Sequence, residues 1–241
     1  MSSYPQVPDV SAPRLPAAPP SAIRSIASHA RLWIVAAVGL ALDLWSKAWA
    51  FETLDPYLGR PVLPGWLHFQ LSLNPGALFG MGKGLAPLFV GASALALLFV
   101  LYLFVHSTPR HRTLHIGLGM VLAGALGNLY DRTTVMAYVW SDPSTRQMHI
   151  GKLVDGSRSD GIILGNWPTG SDPRFFSVRP ETVHGPRMVV RDFIKIDATV
   201  FGRHIWPWIF NVADALLVVG VAILMLNFMF ERHPHAVSDS G

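Results

Sequence analysis

Asn211 and Asp214 stand three residues apart near the start of an apolar run, residues 205–230, in which Asp214 is the only charged residue. A carboxylate in hydrocarbon is costly by several kcal/mol, so an ionisable group inside a membrane span marks a functional site. If the run is helical, amide and acid share one face. Asp214 then lies roughly 12 Å below a helix start near Trp206, at about 1.5 Å per residue. It needs a partner and a sheltered cavity. Two other apolar runs carry polar groups: Asp43, Ser46 and Lys47 in residues 32–50, and Asn128 with Asp131 at the end of residues 114–131, followed by Arg132. Asp43 and Lys47 read equally as an i,i+4 pair with a snorkelling lysine and as groups facing a polar cavity shared with Asp214. Intramembrane acids also suit a carrier or channel moving protons or ions through Asp43, Asp131 and Asp214. A serine–lysine dyad of Ser46 and Lys47 is excluded, because adjacent helical residues diverge by about 100°.

The elements that must position these groups are membrane spans. With 51% hydrophobic and 14% charged residues in 241, and a mean hydropathy of +0.36, the chain has the composition of one compact membrane domain. Spans are expected at about 32–50, 85–105, 114–131 and 206–230. Gly119, Ala123 and Gly127 recur at i,i+4,i+8 and invite close helix packing. The expected fold is an all-α, four-helix membrane protein spanning residues 29–232. A small β-structured segment follows the first span, and a long solvated loop insertion occupies residues 133–188. Residues 1–28, rich in Pro, Ser and Ala, and residues 233–241 are expected as cytoplasmic tails, the first of them disordered. Arg24, Arg31, Arg110, Arg112 and Arg232 flank the spans on one side, which places both termini in the cytoplasm and every polar intramembrane group in the outer half. The net charge of +4 is too small and scattered for nucleic acid, and the absence of cysteine excludes disulfides, thiol chemistry and sulfur-bound zinc. On spacing alone Asp192 is a surface acid paired with Arg191 or Lys195.

Five motifs in order resemble the lipoprotein signal peptidases, the signal peptidase II family: Asp43-Leu44-Trp45-Ser46-Lys47; Asn74-Pro75-Gly76-Ala77; Gly124 to Arg132; Val190-Arg191-Asp192-Phe193; and Phe210-Asn211-Val212-Ala213-Asp214. The resemblance implies an aspartic endopeptidase of the bacterial inner membrane, active toward the outer face. It would remove the signal peptide of diacylglyceryl-modified prolipoproteins before the lipidated cysteine, as a monomer in membrane lipid, with neither metal nor cofactor. It implies Asp192 and Asp214 as the catalytic pair. Asn74, Gly76, Asn128, Arg132 and Asn211 would line or shape the substrate site, and Asp43, Lys47 and Asp131 would support it. An inactive relative of the same fold is the remaining reading. The chain departs from the family pattern in two places. The 133–188 insertion separates Arg132 from Asp192, so that Leu153-Val154-Asp155-Gly156 competes with Asp192, which is preferred for the Phe193 and Ile194 that follow it. Pro75 also removes a backbone donor from the Asn74 turn. Residues 55–80 and the insertion are expected to cover bound substrate from outside.

Overall fold

The computed structural model describes residues 20–75, 86–141, 148–156, 160–177 and 183–230. Residues 1–19, most of the expected N-terminal tail, and 233–241 lie outside the described residues. Residues 20–28 are not tail. Ala22–Arg24 form a 3-10 turn with Ala22 fully buried, its N–H donating to the Ser107 carbonyl at 3.0 Å.

Among the described residues four α-helices follow. Helix α1 (Ile26–Thr53) starts at Ser25, whose hydroxyl accepts from the Ser28 N–H at 3.3 Å. It is followed by α2 (Ala86–Val105), α3 (Arg112–Thr134) and α4 (Val212–Phe230). Helices α1, α3 and α4 are each long and apolar enough to cross a membrane, and α2 is 20 residues without a charge. Helix α3 is the hub, packed against the other three. Lipid tails are as apolar as leucine, so close packing rather than water exclusion must hold spans together. Two glycines of α3 allow it. A Cβ on Gly124 would strike the Ala213 carbonyl and approach Leu217 Cγ to 2.7 Å, and one on Gly127 would overlap the Asp43 carboxylate.

The all-α expectation is overturned. Among the described residues the chain forms three antiparallel sheets. In one, β1 (Arg60–Leu63), β2 (Leu67–Asn74), β8 (Val190–Ile196) and β11 (Ile209–Phe210) lie side by side in that order. Antiparallel pairing sets Ser72 opposite Asp192 and Asn74 opposite Val190, while Phe210 faces Ile194. Residues 206–211 therefore belong to a strand and its approach, not to the last helix. Pro207 lacks an N–H and Asn211 favours a helix cap, so α4 begins only at Val212, and Asp214 sits in its first turn.

The insertion is a second sheet rather than a loop, with strand order β6 (Ser171–Ser177), β5 (Gly161–Asn166), β4 (Met148–Asp155), β3 (Met136–Ser141), β7 (Val183–Met188). Its alternation, buried at Ala137 and Val139 but exposed at Met136, is what one packed sheet face demands. The excursion enters and leaves through one closed neck: Met136 pairs with Met188, and the Val189 N–H donates to the Val135 carbonyl at 3.0 Å. The end of α3 and the start of β8 thus meet as though nothing lay between. The sheet docks on the end of α1 through Phe51 against Trp167, edge to face at 5.5 Å, and on the turn that follows through the Tyr57 hydroxyl, which donates to Asp172 and lies 3.0 Å from Asn166 Oδ1.

Candidate active site

Helix α4 opens with a reciprocal cap. Asn211 Oδ1 accepts from the Asp214 N–H at 2.9 Å, and Asp214 Oδ2 accepts from the Asn211 N–H at 3.3 Å, which satisfies two backbone donors with two side chains. A third donor, the Ala213 N–H, is met by Asp43 Oδ1 of α1 at 2.8 Å, since the first turn of any helix has unpaired N–H groups.

The free end of the capping amide faces the strand. Asn211 Nδ2 donates to Asp192 Oδ1 at 2.6 Å, with Asn128 Oδ1 at 3.1 Å and the Arg191 carbonyl at 3.4 Å also in range. Asn128 Nδ2 in turn donates to Asp214 Oδ1 at 2.7 Å. One carboxyl from β8 and one from α4 are therefore bridged by two asparagines, with Asn74 of β2 hydrogen-bonded to Asp192 as well. Asp192 is 2% exposed. Burial pushes its carboxyl up to about 8, the Asp214 carboxylate adds to the rise, and the Asn211 amide, the Lys47 charge and Asn74 oppose it. A carboxyl in that condition carries its proton at neutral pH and can give it away.

Beneath the pair runs a chain of alternating charge. Lys47 Nζ, fully buried, lies 2.8 Å from Asp43 Oδ2, 3.4 Å from Asp131 Oδ2 and 3.3 Å from Asn128 Oδ1. It therefore does not snorkel. Asp131 receives the Arg191 backbone N–H at 3.0 Å and its guanidinium at 2.7 and 3.2 Å. Arg132 is within electrostatic reach of Asp131, Asp192 and Asp214. Three cations, Lys47, Arg132 and Arg191, thus face four carboxyls, Asp43, Asp131, Asp192 and Asp214. Burial of charge is costly unless it is paired, and the carboxyl that burial pushes up to about 8 is that of Asp192.

Of the candidates named from sequence, Asp43, Lys47, Asn74, Asn128, Asp131, Arg132, Asp192, Asn211 and Asp214 converge at this end of the bundle, while Gly76 lies outside the described residues. The competing Asp155 is on β4 of the insertion sheet, opposite Ile163. Ser46 back-bonds its hydroxyl to the Asp43 carbonyl at 3.0 Å, leaving the lysine beside it to the acids. Asp192 is not paired with Arg191 at a surface: neighbours on a strand point to opposite faces, and Arg191 turns to Asp131. Its part escaped the sequence, because only the closed neck of the insertion brings β8 onto α3. Among the described residues no cluster of three or more His, Asp or Glu is arranged to hold a metal ion.

Residues 35–230 match the family model described as Signal peptidase (SPase) II. A lipoprotein signal peptidase of Desulforapulum autotrophicum is 36% identical over 209 residues, covering 85% of this chain and 94% of that protein. One from Rhodopirellula baltica is 28% identical over 222 residues, covering 88% and 78%. Two solved structures of a bacterial membrane enzyme, each 20% identical and covering 83% of this chain and 92% of theirs, share the fold with TM-scores of 0.52 and 0.54.

Proposed function

Because the chain belongs to the signal peptidase (SPase) II family, we propose that it removes signal peptides from diacylglyceryl-modified prolipoproteins as an aspartic endopeptidase, with Asp192 and Asp214 as the catalytic pair. The observation that carries this reading is Asn211 held between the two carboxyls at the start of α4, its side-chain Nδ2 donating to Asp192 and its backbone N–H to Asp214. Asp192 holds the proton and donates it to the scissile peptide group, while Asp214, which accepts from Asn128 and Asn211, draws a proton from the attacking water. Asn74, Asn128, Arg132 and Asn211 line or shape the place where the peptide lies, and Asp43, Lys47 and Asp131 fix α1 and α3 against α4 and β8.

The location suits the substrate. The site lies at the end of the bundle where α1 and α3 finish and α4 begins, which positive-inside reasoning sets toward the outer face of the inner membrane with both termini in the cytoplasm. There a diacylated cysteine would bring its scissile bond to headgroup depth. Residues 55–75 and the insertion sheet would cover the bound peptide, and a monomer contains every group the chemistry needs. A carrier is disfavoured by what lies below the site: Leu32, Ala36, Leu118, Leu122 and Leu224 form an apolar plug between it and the polar groups Arg31, Ser107 and His115 at the opposite end.

The test is mass spectrometry of a diacylglyceryl-modified prolipoprotein incubated with purified protein in detergent. Release of an intact signal peptide, with the lipidated cysteine as the new N-terminus, is expected. Equal cleavage of the unlipidated precursor, or none of either, contradicts the proposal.

A further inference from the structure

Between β8 and β11 the chain leaves its sheet as a small hairpin. β9 (Thr199–Val200) pairs with β10 (Arg203–His204), Val200 opposite Arg203 and Thr199 opposite His204, so Phe201 and Gly202 alone make the turn. Both have positive φ, 50° and 75°, which matches the two-residue turns that suit a hairpin's twist. Glycine adopts that conformation freely, but a residue with a side chain is strained there. Phe201 bears that strain while the residue is 101% exposed, so no contact among the described residues explains it.

The surroundings are of the same kind. Val200, Ile205, Trp206 and Trp208 are all exposed. Trp206 packs edge to face against Trp208 at 5.1 Å and against Phe210 at 6.4 Å, and Phe210 directly precedes the Asn211 cap of α4. The patch is thus continuous with the apolar outer surface of α4, where Val218 and Val219 are exposed. No acid lies between Asp197 and Asp214, while Arg203 and His204 stand exposed at the base of the turn. Tryptophans belong at the boundary of headgroup and acyl chain, and cations beside them belong near lipid phosphate.

We propose that residues 199–208 are a lipid anchor. Phe201, Trp206 and Trp208 sit in the headgroup–acyl boundary of the leaflet in which α4 begins, and Arg203 reaches the phosphates. The hairpin joins β8, which carries Asp192, to β11, which leads into α4. The inference rests on α4 crossing the bilayer, not on the peptidase chemistry.

The chain has no cysteine, so single spin labels can be placed on the full-length protein in phospholipid nanodiscs. A label at Phe201→Cys should collide with oxygen in preference to a water-soluble nickel chelate, as a label at Val219→Cys on α4 should, and a label at Lys152→Cys on the insertion sheet should show the reverse. Trp206→Cys gives the same reading should the turn variant fold poorly. Nickel access at residue 201 equal to that at 152 overturns the proposal. So does a label closed to both agents, the sign of a protein partner or second copy. A Val219 label open to nickel defeats the membrane span itself.

Discussion

Asp192→Asn should abolish cleavage and at the same time stabilise the protein at neutral pH. The amide keeps the volume of the acid and still accepts from Asn211 Nδ2, but it does not titrate. In the folded protein Asp192 keeps its proton to about pH 8, whereas an unfolded aspartate releases it near pH 3.9. Between those values the folded state binds one proton more than the unfolded, so stability falls as pH rises, by about 1.4 kcal/mol per unit. The contribution is fully present below about pH 4 and gone above about pH 8. At pH 7 the variant escapes a penalty on the order of 4 kcal/mol, a gain in Tm on the order of 10 °C for a chain of this size. Thermal unfolding of both proteins in the same detergent, from pH 4.5 to 8.5, reads it directly. The gap between variant and wild type should be small at the acid end and widen toward pH 8. A gap that stays constant with pH, or a variant less stable than wild type at pH 7, refutes a buried, proton-bearing Asp192.

Lys47→Met strips the counter-charge from two buried acids and should cost about 3–5 kcal/mol; Lys47→Met with Asp43→Asn should cost less than the single change, read by detergent unfolding. Gly127→Ala drives a Cβ into the Asp43 carboxylate and should lower folded yield and Tm, while the neighbouring Leu129→Ala should do so far less. Cleavage should decline as pH rises through about 8, where Asp192 loses its proton, and Asp131→Asn should leave that alkaline limb in place. EDTA should leave turnover of the purified protein unchanged, and chelator-sensitive turnover restored by a divalent cation would contradict a carboxyl pair.

Much of the site was legible because the membrane makes polar residues conspicuous. A lone acid in an apolar run, and an Asn–Asp stripe ending another, announce themselves by what they cost in hydrocarbon. The fold was read less well. Val183–Met188 and Ser171–Ser177 contain Gly, Pro and charged residues that read as loop, and only antiparallel partners supply the hydrogen bonds that make them strands. The start of α4 was set too early because Ile205-Trp206 and Trp208-Ile209-Phe210 are as apolar as a helix interior. Their exposure and pairing with β8 place them outside it. Spacing alone makes Asp192 a surface acid, because adjacency to Arg191 suggests a pair that strand geometry forbids.

The most direct test of the carboxyl pair compares wild type with Asp192→Asn, Asp214→Asn and Asp155→Asn at equal folded yield, following cleavage of a diacylglyceryl-modified prolipoprotein. Loss in the first two with full activity in the third is the expected result. Activity surviving in either of the first two, or lost in Asp155→Asn alone, would contradict a pair formed across the insertion.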